Sequence, residues 1–261
     1  MTEDDPLADA ILEHWSACTL PVGQRTRAGT AFFYNELVDS TPEGEHVREW
    51  WLTADHVTRT KVGEVRLRPE LIEPAGVAPS YLAMVDFDEM WSRRSGVAVM
   101  RTFVLHDHAA KKGWTWAAAQ ITHGVAATAE HVRAVDAQPR RAYALGHITR
   151  EAGAPGEQRP LAIATSNVAR DPDGLVRWQG ALPDGFAGGP VFVAERRGDG
   201  REFVLLCLGL IASADRNPEV RTFDAIRSLI EQLTRPRPAK RGFFRRRQPD
   251  GTKSGKNPPG K

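Results

Sequence analysis

Cysteine is nearly absent from this chain: Cys18 and Cys207 are the only two in 261 residues. Proteins kept in an oxidising compartment often lean on several disulfides, so the count points to a reduced, cytoplasmic protein with both thiols buried as small apolar side chains. Long hydrophobic runs are missing as well. The longest, such as Phe203 to Ala212, reach half the length of a membrane span, so no transmembrane segment is expected. The opening Met1-Thr2-Glu3-Asp4-Asp5 is acidic and has no apolar stretch behind it, which argues against a secretory signal. There is no Walker loop, no dinucleotide fingerprint and no zinc-finger spacing. No internal repeat stands out, and no cofactor is expected.

What remains is the composition of a folded globular body, 41% hydrophobic and 26% charged. The charge is unevenly placed. Residues 235–261 hold ten Lys/Arg and one Asp, so this segment carries +9 of the net +2 and the rest of the chain carries −7. After Ala239 only Phe243 and Phe244 offer apolar surface, and the tail is expected to be disordered. Its cations and paired aromatics suit an anionic membrane surface or a nucleic acid.

The body divides by texture. Asp5-Pro6 is a helix start, with an Asp N-cap and Pro at the first helical position, and Leu7, Ile11, Leu12 and Trp15 follow at helical spacing. Residues 1–19 therefore read as an N-terminal helix and extension. From Gly29 the pattern changes to short apolar runs between turn residues: 30–34, 49–53, 62–68, 81–87 and 97–104, then 142–148, 160–168, 175–179, 189–194 and 203–211. Such spacing predicts an all-β barrel or sandwich. Residues 107–141 stay open, with 125–135 readable as helix or strand. His106-Asp107-His108, without a further ligand motif nearby, reads as a solvated turn rather than a metal site. Phe223, Ile226, Ile230 and Leu233 form one helical face over 222–233, with Thr222 as N-cap, and Pro236 and Pro238 stop the helix.

Two stretches carry chemistry. Leu52-Thr53-Ala54-Asp55-His56-Val57 follows Gly29-Thr30-Ala31-Phe32-Phe33 by some 20 residues, and Gly185-Phe186-Ala187-Gly188-Gly189-Pro190 leads into an apolar strand. Together they resemble the histidine and serine signatures of the trypsin-like (chymotrypsin-fold) serine peptidases, which read Thr-Ala-Ala-His and Gly-Asp-Ser-Gly-Gly-Pro. The resemblance covers about residues 20–234. It implies a double antiparallel β-barrel, with barrels at about 20–120 and 121–221, a short N-terminal helix and a closing C-terminal helix.

The resemblance also assigns roles. His56 matches the general base. The family's aspartate opens a buried strand that here reads Gly96-Val97-Ala98-Val99-Met100, so its position holds Gly96. The nucleophile position holds Ala187, and Phe186 replaces the polar residue before it. The oxyanion donors would be the amides of Gly185 and Ala187, with Gly188 keeping the turn tight. Ala181 stands where the base of the specificity pocket falls, and Ala212 and Ser213 match its wall, so any pocket would take an apolar side chain. Acyl transfer needs a hydroxyl, a base, an orienting carboxylate and oxyanion donors. Of these only the base and the backbone donors are present. The expected function is a pseudopeptidase acting as a binding or regulatory module, with a peptide or protein ligand in the inter-barrel cleft. The alternatives are an active hydrolase with a nucleophile elsewhere and a tail-driven adaptor.

Overall fold

The computed structural model describes residues 5–24, 27–149, 159–197 and 202–235; the basic segment from Pro236 onward lies outside the described residues. Helix α1 (Pro6–Trp15) starts where its cap predicts: the Asp5 carboxylate accepts from the amides of Leu7 (3.2 Å) and Ala8 (3.4 Å). Its Ala8 and Ile11 are buried.

The first half of the body contributes β1 (Thr19–Val22), β2 (Gly29–Thr41), β3 (Gly44–Ala54), β4 (Val62–Arg66), β5 (Ile72–Glu73), β6 (Tyr81–Val85), β7 (Ser92–Arg94), β8 (Val97–Arg101), β9 (Thr115–Trp116) and β10 (Ile121–Thr122). A curled antiparallel sheet runs β6-β4-β1-β2-β3-β8-β7 without closing; β10 joins β2 in parallel, and β5 pairs with β9. The second half contributes β11 (Arg140–His147), β12 (Leu161–Arg170), β13 (Val176–Trp178), β14 (Pro190–Arg197), β15 (Glu202–Ile211) and β16 (Glu219–Thr222). These close into a barrel in the order β11-β12-β13-β16-β15-β14. Helix α2 (Phe103–Lys111) falls within the first half, α3 (Ala129–Arg133) lies between the halves, and α4 (Phe223–Thr234) ends the described chain. The architecture is all-β: an open curled sheet, a closed barrel, and a helix at each end.

Strand alternation sorts the core. In β2 and β3, Phe33 and Trp51 face the interior of the first sheet, while Phe32, Tyr34, Trp50 and Leu52 face the other way. That second face meets Tyr143, Leu145 and Phe192 of the barrel and Phe223, Ile226 and Ile230 of α4, so the seam between the halves is itself a core. Cys18 and Cys207 are buried in it as free thiols. A third cluster, with Ala142, Ala144, Trp178 and Phe186, fills the barrel.

Two local readings change. The apolar run 97–104 is not one strand: β8 stops at Arg101 and α2 begins at Phe103. Leu105 and Ala109 are buried four residues apart, a helical period that the preceding β-branched run obscures. His106, Asp107 and His108 therefore sit on a helix, and His106 is engaged by Glu49 of β3. Within 125–135 the helix is α3, started by a reciprocal cap between Thr128 and His131.

Candidate functional site

The histidine turn comes directly off β3. Residues Asp55–Thr58 form a single 3₁₀ turn in which Val57 and Thr58 are buried, and His56 is exposed. The Asp55 amide donates to the Gly96 carbonyl (2.9 Å), which fixes this turn against the β7–β8 hairpin. The Asp55 carboxylate is taken by Arg59 in a two-pronged contact (2.9 and 2.8 Å) and does not serve as a substitute for the missing acid.

His56 faces the Ala212 carbonyl. Protein packed beneath the ring holds its basicity below the ordinary value, against the upward pull of Asp215, Asp55 and the Ala212 carbonyl; Arg27 adds to the lowering. The imidazole is thus mainly neutral at pH 7.

Gly96 occupies a tight hairpin. Ser95 and Gly96 link Arg94 to its partner Val97, with φ of 50° and 82°. Positive φ at both central residues is what a two-residue turn of the right twist demands, which explains glycine here. A Cβ added at Gly96 would lie 3.3 Å from the Ala212 methyl and 3.6 Å from Nε of Arg221. That Nε is buried and has no hydrogen-bond partner, while the same guanidinium pairs with Glu219 at 2.6 Å. The surroundings of Gly96 thus hold a guanidinium that is itself paired with a carboxylate.

The 183–189 loop carries the other half of the site. Gly185 and Gly188 have φ of 99° and 86°, conformations that side chains resist. Phe186 points inward and is fully buried in the barrel core, its ring 2.4 Å from where a Cβ on Gly146 would be. The residue that replaces the family's polar anchor thus fastens the loop by packing. Ala187 is also buried, at 3% exposure, and packs in one cluster with Val57, next to His56. Among the described residues no acceptor takes the amides of Gly185 or Ala187.

Residues not singled out from sequence stitch this loop to the first half. The Thr30 amide donates to the Ala187 carbonyl (2.8 Å), and its hydroxyl donates to the Gly185 carbonyl (2.8 Å) while accepting from the His147 amide (2.8 Å). Thr53 donates its hydroxyl to the Thr30 carbonyl (2.7 Å), and Gly188 lies so close that a Cβ there would come within 2.2 Å of both. Gly188 donates to Ile211 (2.7 Å), the residue before Ala212, which closes the circuit back to His56. The only sequence cue to Thr30 was its place beside Gly29 at the head of a strand.

The structure therefore brings the His56 turn, Gly96 and Ala212 together, while Ala187 lies in the same buried cluster as Val57. Ser213 follows half-buried, whereas Ala181 is exposed on the loop between β13 and β14. Within this group there is a base, and neither a hydroxyl at Ala187 nor a carboxylate at Gly96.

No protein-family model matches the chain, and no curated protein matches it by sequence. Solved structures similar to it include an inactive form of Rv3671c from M. tuberculosis carrying a serine-to-alanine mutation, at 13% identity and a TM-score of 0.45, covering 91% of this chain and 98% of that one. Another is HBP at atomic resolution, at 12% identity and a TM-score of 0.45, with 85% of this chain and 93% of that one covered. A mutant of human heparin binding protein follows at 10% identity and a TM-score of 0.44, covering 85% and 95%.

Proposed function

We propose that this chain is a pseudopeptidase: a trypsin-like body whose seam binds a peptide or protein segment and does not cleave it. The observation that carries this reading is Ala187. A methyl group stands at the nucleophile position, it is buried, and no hydroxyl replaces it there. Gly96 brings no carboxylate, so the position that the resemblance assigns to the orienting acid cannot stabilise an imidazolium. Removing triad members in a tested serine peptidase leaves roughly 10³–10⁴-fold acceleration from binding and the oxyanion donors. That falls far short of the acceleration that efficient peptide turnover needs.

The loop amides are the part suited to binding. Gly185 and Ala187 keep two backbone donors on one turn, the arrangement that accepts a carbonyl or carboxylate oxygen. The wall residues Ala212 and Ser213 and the more distant Ala181 bring no charge, so an apolar side chain is the expected neighbour. A serine-directed phosphonate probe tests the reading on the wild-type protein. No covalent adduct is expected, and an adduct mapped to any serine near His56 would replace this reading with that of an active hydrolase.

A further inference from the structure

Behind the 183–189 loop lies a histidine that this reading does not use. His147, the last residue of β11, is 1% exposed. Its Nε2 is 3.1 Å from the hydroxyl of Thr19, at the start of β1 in the other half, and its Nδ1 is 3.1 Å from the Arg159 carbonyl. A carbonyl only accepts, so Nδ1 carries the hydrogen and Nε2 of the neutral ring takes the Thr19 hydroxyl proton. That hydroxyl also lies 3.0 Å from the Ser16 carbonyl.

The surroundings oppose a charged ring. Arg68 reaches over the same turn, 2.6 Å from the Ser16 carbonyl and 3.3 Å from that of Thr19, and Arg159 clamps the carbonyls of Val22 and Gly23 at 3.2 Å each. A nearby carboxylate, Glu70, is held by Arg68 at 2.6 Å, and Glu64 acts on Arg159. Burial, joined by Arg68 and Arg159, lowers His147 from 6.5 to about 4, although its two backbone partners pull the other way.

The backbone of the same residue supports the candidate cleft. Its amide donates to Thr30, which in turn donates to Gly185, and its carbonyl lies 2.0 Å from where a Cβ on Gly185 would be. Thr149, two residues on, donates to Asp184 at 3.0 Å. We infer that His147 is a proton-operated latch between the two halves: neutral, it holds the 183–189 loop against Thr30, and proton uptake releases the loop. The proton comes from solvent and settles on Nε2. The Thr19 hydroxyl then turns its hydrogen to Ser16, leaving an imidazolium beside two guanidinium groups that drive the seam apart. The regulatory meaning rests on the cleft-binding reading above, whereas the latch itself does not.

Amide exchange at Thr30, Gly188 and Gly189 in the full chain, with the His147 ring shifts, tests this without any ligand. An open state with an ordinary histidine at 6.5 and a closed one at about 4 predict that opening grows about tenfold between pH 7.5 and pH 5.5, after correction for intrinsic exchange. His147→Gln keeps a side-chain amide for Thr19 and cannot titrate, so its loop should show no such growth. Thr19→Val, which removes the hydroxyl and leaves the ring, should open the loop already at pH 7.5. Flat protection in the wild type down to pH 5.5, or the same tenfold growth in His147→Gln, overturns the latch. A failure to bind any peptide at any pH would sink the cleft reading and leave these exchange results as they are.

Discussion

Phe186 and Gly146 are matched as a ring and the space it needs. The ring is fully buried and would sit 2.4 Å from a Cβ on Gly146. Phe186→Ala should cost about 3–5 kcal/mol, the usual penalty for emptying an aromatic site, and denaturant midpoints will measure it. A smaller loss, with unchanged exchange at Gly189, would mean that packing does not fasten the loop. The same scale governs repair of the triad. Ala187→Ser with Gly96→Asp is expected to restore weak esterase activity at most. The new hydroxyl would emerge at a position 3% exposed, and the new aspartate would need φ near 82° with its carboxylate beside Arg221. Robust turnover of a peptide substrate by the double variant would show that neither obstacle matters.

Among the elements, α1 is held by the burial of Ala8 and Ile11 and by one polar side chain, Asp5. Asp5 caps the helix, and it also accepts from Arg141 (2.8 Å) and Tyr143 (3.3 Å) of β11. Asp5→Ala should destabilise the protein by about 0.5–2 kcal/mol, while Asp5→Asn keeps the cap and loses only the charge; thermal melts separate the two. Equal losses would assign the effect to the ion pair with Arg141, whose side chain is 63% exposed and whose contribution should be small. The helix was readable from Asp5-Pro6 and its apolar spacing because both signals are local. Helix α2 was not, because its buried Leu105 and Ala109 follow a β-branched strand without a break. In that stretch tertiary burial, rather than propensity, fixes the structure.

For the whole molecule, one buried titratable group and one charged segment matter. His147 takes up a proton at about 4 in the folded state and at its ordinary 6.5 when unfolded. Stability is therefore full above pH 6.5 and is lost as pH falls toward 4, by on the order of 3 kcal/mol from this group. Urea midpoints from pH 7.5 to pH 4.5 should fall in the wild type and fall less in His147→Gln; parallel curves would exclude His147 as the source. The charged segment is residues 235–261, with +9 set against −7 on the rest of the chain. Full-length protein is expected to sediment with anionic vesicles at low salt and to release at high salt, because a polybasic segment gains about 1 kcal/mol per cation near such a surface. Replacing Arg245, Arg246 and Arg247 with Glu should abolish the binding. Unchanged sedimentation of that variant would deny the tail any part in recruitment.

The sequence by itself determined the rhythm of strands and turns, the capped first helix, the amphipathic last helix, and the absence of a hydroxyl in the Gly-rich loop. These are local facts of periodicity, turn chemistry and side-chain identity. Only the tertiary structure decided that Phe186 turns inward, that Gly96 belongs to a hairpin turn facing Arg221, and that Thr30 and His147 tie the loop to the opposite half. Each of these depends on residues dozens of positions apart: 117 separate His147 from Thr30, and 155 separate Gly185 from Thr30. No periodicity within a strand encodes such contacts, because the seam between two sheets is made by their packing and not by either sheet alone.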